Sequence, residues 1–222
     1  MDDAGRKQME FLRRIVVPRT TAVLTMELQN GVVGPDALLP ALVAAVADSG
    51  LLQVAGNVCR AARAVGARVV HATAEFRPDG AGFAENCKIF ALDARRRRQV
   101  GGGLMDIGTP GARLVDELDQ QPVDVVVPRL SGMTPFTPSA LDQILRNMGI
   151  TTMVLVGVSL NLGIIGAALT AVDLGYQVVV VRDAVIGVPR EYGETVLNNS
   201  LSMISTIVTS AQLIDVWSSG AG

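Results

Sequence analysis

The sequence is poor in the residues from which most catalytic sites are assembled. It contains one histidine, two cysteines, one tryptophan and two tyrosines in 222 residues. The lone histidine, His71, lies in the apolar run RVVHATAEF. At such a position a histidine is more often a hydrogen-bonded core residue than a base. Cys59 and Cys87 show neither metal-ligand spacing nor a disulfide framework, so a reducing cytoplasm is the expected compartment and no metal or other cofactor is expected. Aromatic residues make up only 4%, so the core must be built from Val, Leu, Ile and Ala. A balance of 19 basic to 21 acidic groups argues against nucleic acid as a partner. No apolar run approaches the roughly 18 residues of a membrane span, so no membrane partner is expected either. The N-terminal MDDAGRKQMEF lacks the apolar stretch of a signal peptide.

What the chain does have is hydrophobic content, at 49%, enough for a single large core. Residues 1–19 read as a charged arm or short amphipathic helix ahead of one domain spanning 20–222. β-Branched runs at 21–28, 68–73, 123–127, 153–158, 177–182 and 205–209 read as strands. Between them lie helical stretches at 36–48, 51–65, 84–98, 110–118, 139–148, 162–174 and 190–204. Alternation of this kind predicts an α/β fold with a parallel sheet. The clearest unit is MVLVGVSLNLGIIGAALTAVDLGYQVVVV, residues 153–181, which reads strand, turn, helix, strand. Asn161 can cap its helix and Gly175 can end it. Such a turn is expected to leave the N–H groups of Leu162, Gly163 and Ile164 free at a strand's carboxyl end, where they would receive an anion or a developing oxyanion. The helix carries no charge from Leu162 through Val172, which predicts burial on more than one side, against a lid or a second subunit. Residues 74–103 form a long irregular segment of the kind used as a lid or subunit contact. Within it, Arg95–Arg98 reads as a solvated face.

The run GVSLNLG, followed by an apolar helix and DLGYQVVVVRDAV, resembles the signature region of the isochorismatase-like hydrolase superfamily. The resemblance extends from about residue 20 to residue 217. It implies a three-layer α/β/α, Rossmann-like fold with a parallel six-stranded sheet in the order 3-2-1-4-5-6, and homodimers or homotetramers. It also suggests a cis Val158–Ser159 peptide. Ligands of such sheets bind outside the strand ends where the order reverses, which would bring Glu27, after strand one, beside Ser159 to Gly163, after strand four. The superfamily's cysteine amidohydrolases carry their nucleophile where this chain has Gly163, whereas isochorismatases resemble this chain in having glycine there. The superfamily's usual lysine, in a K-P-R-Y-S-A-F-like run, corresponds here to Val127 of VPRLSG, and only Arg129 and Ser131 match.

Glu27 stands where the superfamily has an aspartate, in Glu27-Leu28-Gln29-Asn30-Gly31. A carboxyl at the end of an apolar strand must be neutral, paired or turned to a cavity, and desolvation would suit it to acid or base work. The other reading is a structural carboxylate bonded to a turn. Arg129 is either a bidentate clamp on the ligand or one half of a surface ion pair. Without a thiolate no thioester can form. The expected chemistry is therefore acid-assisted, non-covalent hydrolysis of a small anionic or polar metabolite. In it Glu27 delivers a proton, and Arg129 with the Gly163-centred amides holds negative charge. Gln29, Glu75, Arg77, Ser159, Asn161, Leu162 and Ile164 are the expected substrate contacts. In metal-binding relatives a D-W-H-P-like run occurs near Glu75-Phe76-Arg77-Pro78, and the histidine is here Arg77, so no metal is expected. Two alternatives stand beside this reading: an inactive pseudo-hydrolase that binds a ligand or partner, and a purely structural subunit of a larger assembly.

Overall fold

The computed structural model describes residues 3–137 and 139–219. Residues 1–2 of the expected arm, Pro138 of the loop after strand three and residues 220–222 lie outside the described residues. Strands β1 (Thr21–Met26), β2 (Arg68–Ala74), β3 (Val125–Arg129), β4 (Thr152–Val158), β5 (Gln177–Ile186) and β6 (Thr206–Val208) form one sheet. Its order is β3-β2-β1-β4-β5-β6 and every neighbouring pair is parallel. This is the implied Rossmann-like order. β1 and β4 are buried along their whole length, because helices cover both faces, and their β-branched runs have no polar side to show.

The helices are α1 (Asp3–Ile15), α2 (Asn30–Val33), α3 (Pro40–Ser49), α4 (Leu51–Ala64), α5 (Lys88–Val100), α6 (Leu141–Asn147), α7 (Ile165–Asp173), α8 (Arg190–Val196), α9 (Ser202–Ile204) and α10 (Ser210–Ser219). Two cores result. On one face Val23, Val69 and Val154 pack with residues of α1, α3, α4 and α10. On the other, Leu24, Val70 and Leu155 pack with residues of α6, α7 and α8. The N-terminal segment is a helix with Met9 and Leu12 buried, and Arg13 donates to Ser219 at the far end of the chain.

Several elements differ from the sequence reading. The expected helix at 162–174 begins as a π-helical turn, Leu160–Ile164, before α7 proper. The expected helix at 190–204 is likewise interrupted by a π turn, Leu197–Leu201. The stretch 110–118 is two short 3-10 turns. α10 was not expected. Its Leu213, Val216 and Trp217 are buried, and the Trp217 indole donates to the Val16 carbonyl at 3.0 Å. Within the single chain one face of α7 stays uncovered, the face a second subunit would meet on the sequence reading. Leu169 is 49% exposed, and Leu162 and Val172 also face outward, an apolar stripe at helical spacing. No single described helix is long and apolar enough to cross a membrane.

Candidate active site

The carboxyl ends of β1, β2, β3 and β4 supply the floor of one cavity. β1 comes against β4 at Gly157, where φ is +113° and an added Cβ would lie 2.3 Å from the Met26 carbonyl oxygen. Only glycine allows that approach. Beyond Met26 the chain leaves the sheet through Glu27, whose φ of +52° is unusual for a non-glycine residue and costs on the order of 1–3 kcal/mol. Its amide still donates to the Ala72 carbonyl at 3.0 Å.

Arg129 is the last residue of β3, two strands away. It reaches Glu27 because β2 ends between them in Ala74, the register partner of Arg129 and one of the shortest side chains available. One guanidinium nitrogen, Nη2, is in contact with Glu27 Oε1, Nε donates to the Gly132 carbonyl at 3.0 Å, and Nη1 is buried without a partner. The side chains are 4% and 18% exposed respectively. Burial pushes the Arg129 guanidinium down to about 10, so it remains charged at neutral pH. Of the alternatives open to this carboxyl, the structure shows it paired, with Arg129, at the edge of a cavity.

Around this pair the cavity is largely apolar, with a volume of about 110 Å³. Val32, Leu42 and Leu162 form part of the wall, and Phe76, Leu104 and Met133 narrow the space without filling it. Segment 74–103 covers this same chain's cavity through Ile89, Phe90 and Asp93 of α5. Three of the five phenylalanines hold that cover together, with Phe76 edge-on to Phe83 at 4.9 Å and Phe83 6.1 Å from Phe90. The arginine run is also more than a solvated face. Arg96 donates to the Asp36 carbonyl, Arg97 pairs with Asp106, and Arg98 pairs with Glu85.

The family model for the isochorismatase domain matches residues 21–212. The chain belongs to the isochorismatase family. A ureidoacrylate amidohydrolase of Pseudomonas savastanoi pv. phaseolicola is 32% identical over 174 residues, covering 75% of this chain and 71% of that protein. An isochorismatase family protein of Desulfovibrio vulgaris is 30% identical and covers 90% of this chain and 99% of its own, with a TM-score of 0.74. One from Burkholderia thailandensis is 25% identical with a TM-score of 0.71, covering 90% and 96%. The curated relatives are hydrolases by name, and this isochorismatase-family chain carries the hydrolase fold.

Of the expected site residues, Glu27, Arg129, Ser159, Leu162 and Gly163 meet at the cavity. The others do not. Gln29 is fully buried as a staple: its Nε2 donates to the Ala74 and Ala112 carbonyls and its Oε1 accepts from the Ala74 amide. Glu75 accepts from Thr73 Oγ1 and lines a separate crevice beside β3. Arg77 is exposed and pairs with Asp79. Asn161 does not cap the helix. Its Nδ2 donates to the Val188 carbonyl at 3.3 Å and its Oδ1 is buried without a partner. Ile164 is core. Its amide and that of Leu162 both donate to the Ser159 carbonyl, at 3.0 and 3.2 Å, because the π turn folds them back upon the end of β4. Those two N–H groups are therefore not free for an oxyanion. The Val158–Ser159 peptide is cis. A Cβ built at Gly163 would meet Met26 Cε at 2.9 Å and the Val158 carbonyl at 3.2 Å, so the Met26 side chain occupies the space beside position 163. Neither cysteine lines the cavity. Burial pushes the Cys59 thiol up to about 12, which leaves it inert at neutral pH. The residue that sequence reasoning missed is Asp93. Its only signal was an acid four residues after Ile89 on the apolar side of a helix.

His71 belongs to a second polar cluster, under α4. Thr25 Oγ1 lies 2.8 Å from His71 Nδ1, and His71 Nε2 lies 3.3 Å from Asp124 Oδ2. Arg63 grips Asp124 with Nε and Nη2 at 3.0 and 2.7 Å. Burial lowers the His71 pKa against the opposing pull of Asp124. Burial raises that of Asp124, but hydrogen bonds from Arg63, the Gln121 amide and His71 outweigh it and leave the carboxyl below its usual range. The Thr25–His71–Asp124 row has the composition of a nucleophile–base–orienter triad. It has no access to solvent, and none of its members lines the cavity.

Proposed function

We propose that this chain hydrolyses a small amide-type metabolite without a covalent enzyme intermediate. The observation that carries the reading is the Glu27–Arg129 pair set in the wall of a largely apolar cavity at the reversal of strand order. The relatives' name, ureidoacrylate amidohydrolase, supports an amide as the bond cleaved. In this scheme a water beside the Glu27 carboxylate gives up a proton to it while its oxygen bonds to the substrate carbonyl carbon. The carbonyl electron pair moves onto oxygen, and the positive charge of Arg129 stabilises the charge that forms. The tetrahedral centre then collapses. Glu27 passes the proton to the leaving nitrogen, the C–N bond breaks, and a carboxylic acid and an amine depart. The acid assistance thus comes in the second half, from a group that entered as a base.

The test is ammonia release from a panel of small primary amides by the wild-type chain and by Glu27→Gln. A loss of about 10²–10⁴-fold with an unchanged circular dichroism spectrum supports the reading. An undiminished rate in the variant would sink it. One observation favours a second reading, a binder without turnover: the Leu162 and Ile164 amides are already engaged, which leaves charge stabilisation to Arg129. A ligand that raises the melting temperature and is recovered unchanged is the outcome that reading requires.

A further inference from the structure

The cavity contains a third charged group that the hydrolytic scheme does not use. Asp93 lies on the cavity-facing side of α5 with Ile89 and Phe90, one turn apart. Among the described residues its carboxylate has no hydrogen-bond partner. Arg97 and Arg96 act on it only at a distance, each committed elsewhere. Burial raises its pKa, and those two arginines counter only part of that. The residue is only partly buried, so the hydrogen-bonding capacity of its carboxylate is open to a ligand in the cavity beside Ile89 and Phe90. The same cavity is lined by Arg129, which is already engaged by Glu27 and by the Gly132 carbonyl. The charged lining residues are Glu27, Arg129 and Asp93, a net of one negative charge.

We propose that Asp93 is the specificity-determining residue of this cavity: it accepts a hydrogen bond from an N–H-bearing group, best an ammonium, at the end of the substrate remote from Arg129, and it rejects a carboxylate there. This rests on the amide-hydrolase reading for which bond is cut, not for which ligand is held. It also reverses the expectation of an anionic metabolite. Like charges forced together in a dry site discriminate strongly, so the effect should be large.

Three primary amides of matched length make the test: 5-aminopentanamide, pentanamide and glutaric acid monoamide, which end in an ammonium, a methyl and a carboxylate. Binding to the full chain is read by calorimetry and by thermal shift, independently of turnover. The wild type should bind the ammonium-ended amide about tenfold more tightly than the carboxylate-ended one. Asp93→Asn should bring that ratio close to one while the affinity for pentanamide changes little, and Asp93→Ser serves should the first variant not fold. If any of the amides is cleaved, the same ratio should appear in KM more than in kcat. A wild-type ratio below threefold, a ratio that both variants preserve, or no binding of any of the three overturns the proposal. Ordered binding without ammonia release would leave the proposal standing and remove the hydrolase reading instead.

Discussion

Thr25 and Glu27 are two residues apart on one strand and its exit, yet they feed polar clusters of opposite character. The Thr25–His71–Asp124 row lies beneath α4, shut from solvent, and Arg63 of α4 closes it by gripping Asp124. The Glu27–Arg129 pair lies at the strand ends and lines a cavity there. The more conspicuous group of residue types, a hydroxyl, an imidazole and a carboxylate, is the one with nowhere to put a substrate. Chemistry follows access rather than composition. A ligand must reach the group, and some bonding capacity must be left over to meet it.

Breaking each cluster separately sharpens that contrast. Asp124→Ala leaves the largely buried Arg63 with only the Leu118 carbonyl as a partner, so it should destabilise the fold by about 3–5 kcal/mol and lower the melting temperature by roughly 10 °C, with turnover per folded molecule intact. Thermal denaturation beside an activity assay on the folded fraction checks both halves. Arg129→Met should do the reverse. Glu27 can take up water from the cavity, so the stability loss is smaller, about 1–3 kcal/mol, while turnover falls about 10²–10³-fold. Equal stability losses in the two variants would remove the distinction between sealed and open.

The pH dependence separates the clusters next. His71 is held below its ordinary value of 6.5, so the unfolded chain binds that proton more readily than the folded one. Its contribution is therefore whole above about pH 6.5 and declines as the pH falls through that value. Asp124, also depressed, loses its contribution only at lower pH, below the ordinary 3.8. Melting curves at about pH 7.5 and 5.5 should show a drop in the wild type that His71→Gln flattens. The smallest effect is expected at Gly163→Ala, where the added methyl displaces the flexible Met26 terminus at a cost below about 1.5 kcal/mol. Chemical denaturation resolves that difference.

Much of this was legible in the sequence, for reasons that particular residues make plain. The β-branched runs and the glycine turns mark the parallel sheet. Glu27 and Arg129 are visible because a charge at the end of an apolar run needs a partner or a cavity, and each proved to answer for the other. Gln29, Glu75 and Arg77 were misread because nothing in a string of residues says which way a side chain leaves a loop. Gln29 turns inward to staple two carbonyls, Glu75 folds back on Thr73, and Arg77 closes on Asp79. The helix after β4 was read as an ordinary α-helical start with free amides. A π turn is set by how the chain packs after β4, and it consumes the N–H groups of Leu162 and Ile164. Asp93 was hidden inside a segment whose arginine run dominated its pattern.

The reach of Arg129 over the end of β2 has one more consequence. Ala74 is the register partner of Arg129 on the strand between the two charges, and both line the cavity. A valine there should crowd the space beside the guanidinium while leaving every ionisable group in the sequence. In this scaffold two carbon atoms can reshape the hollow without touching a charge.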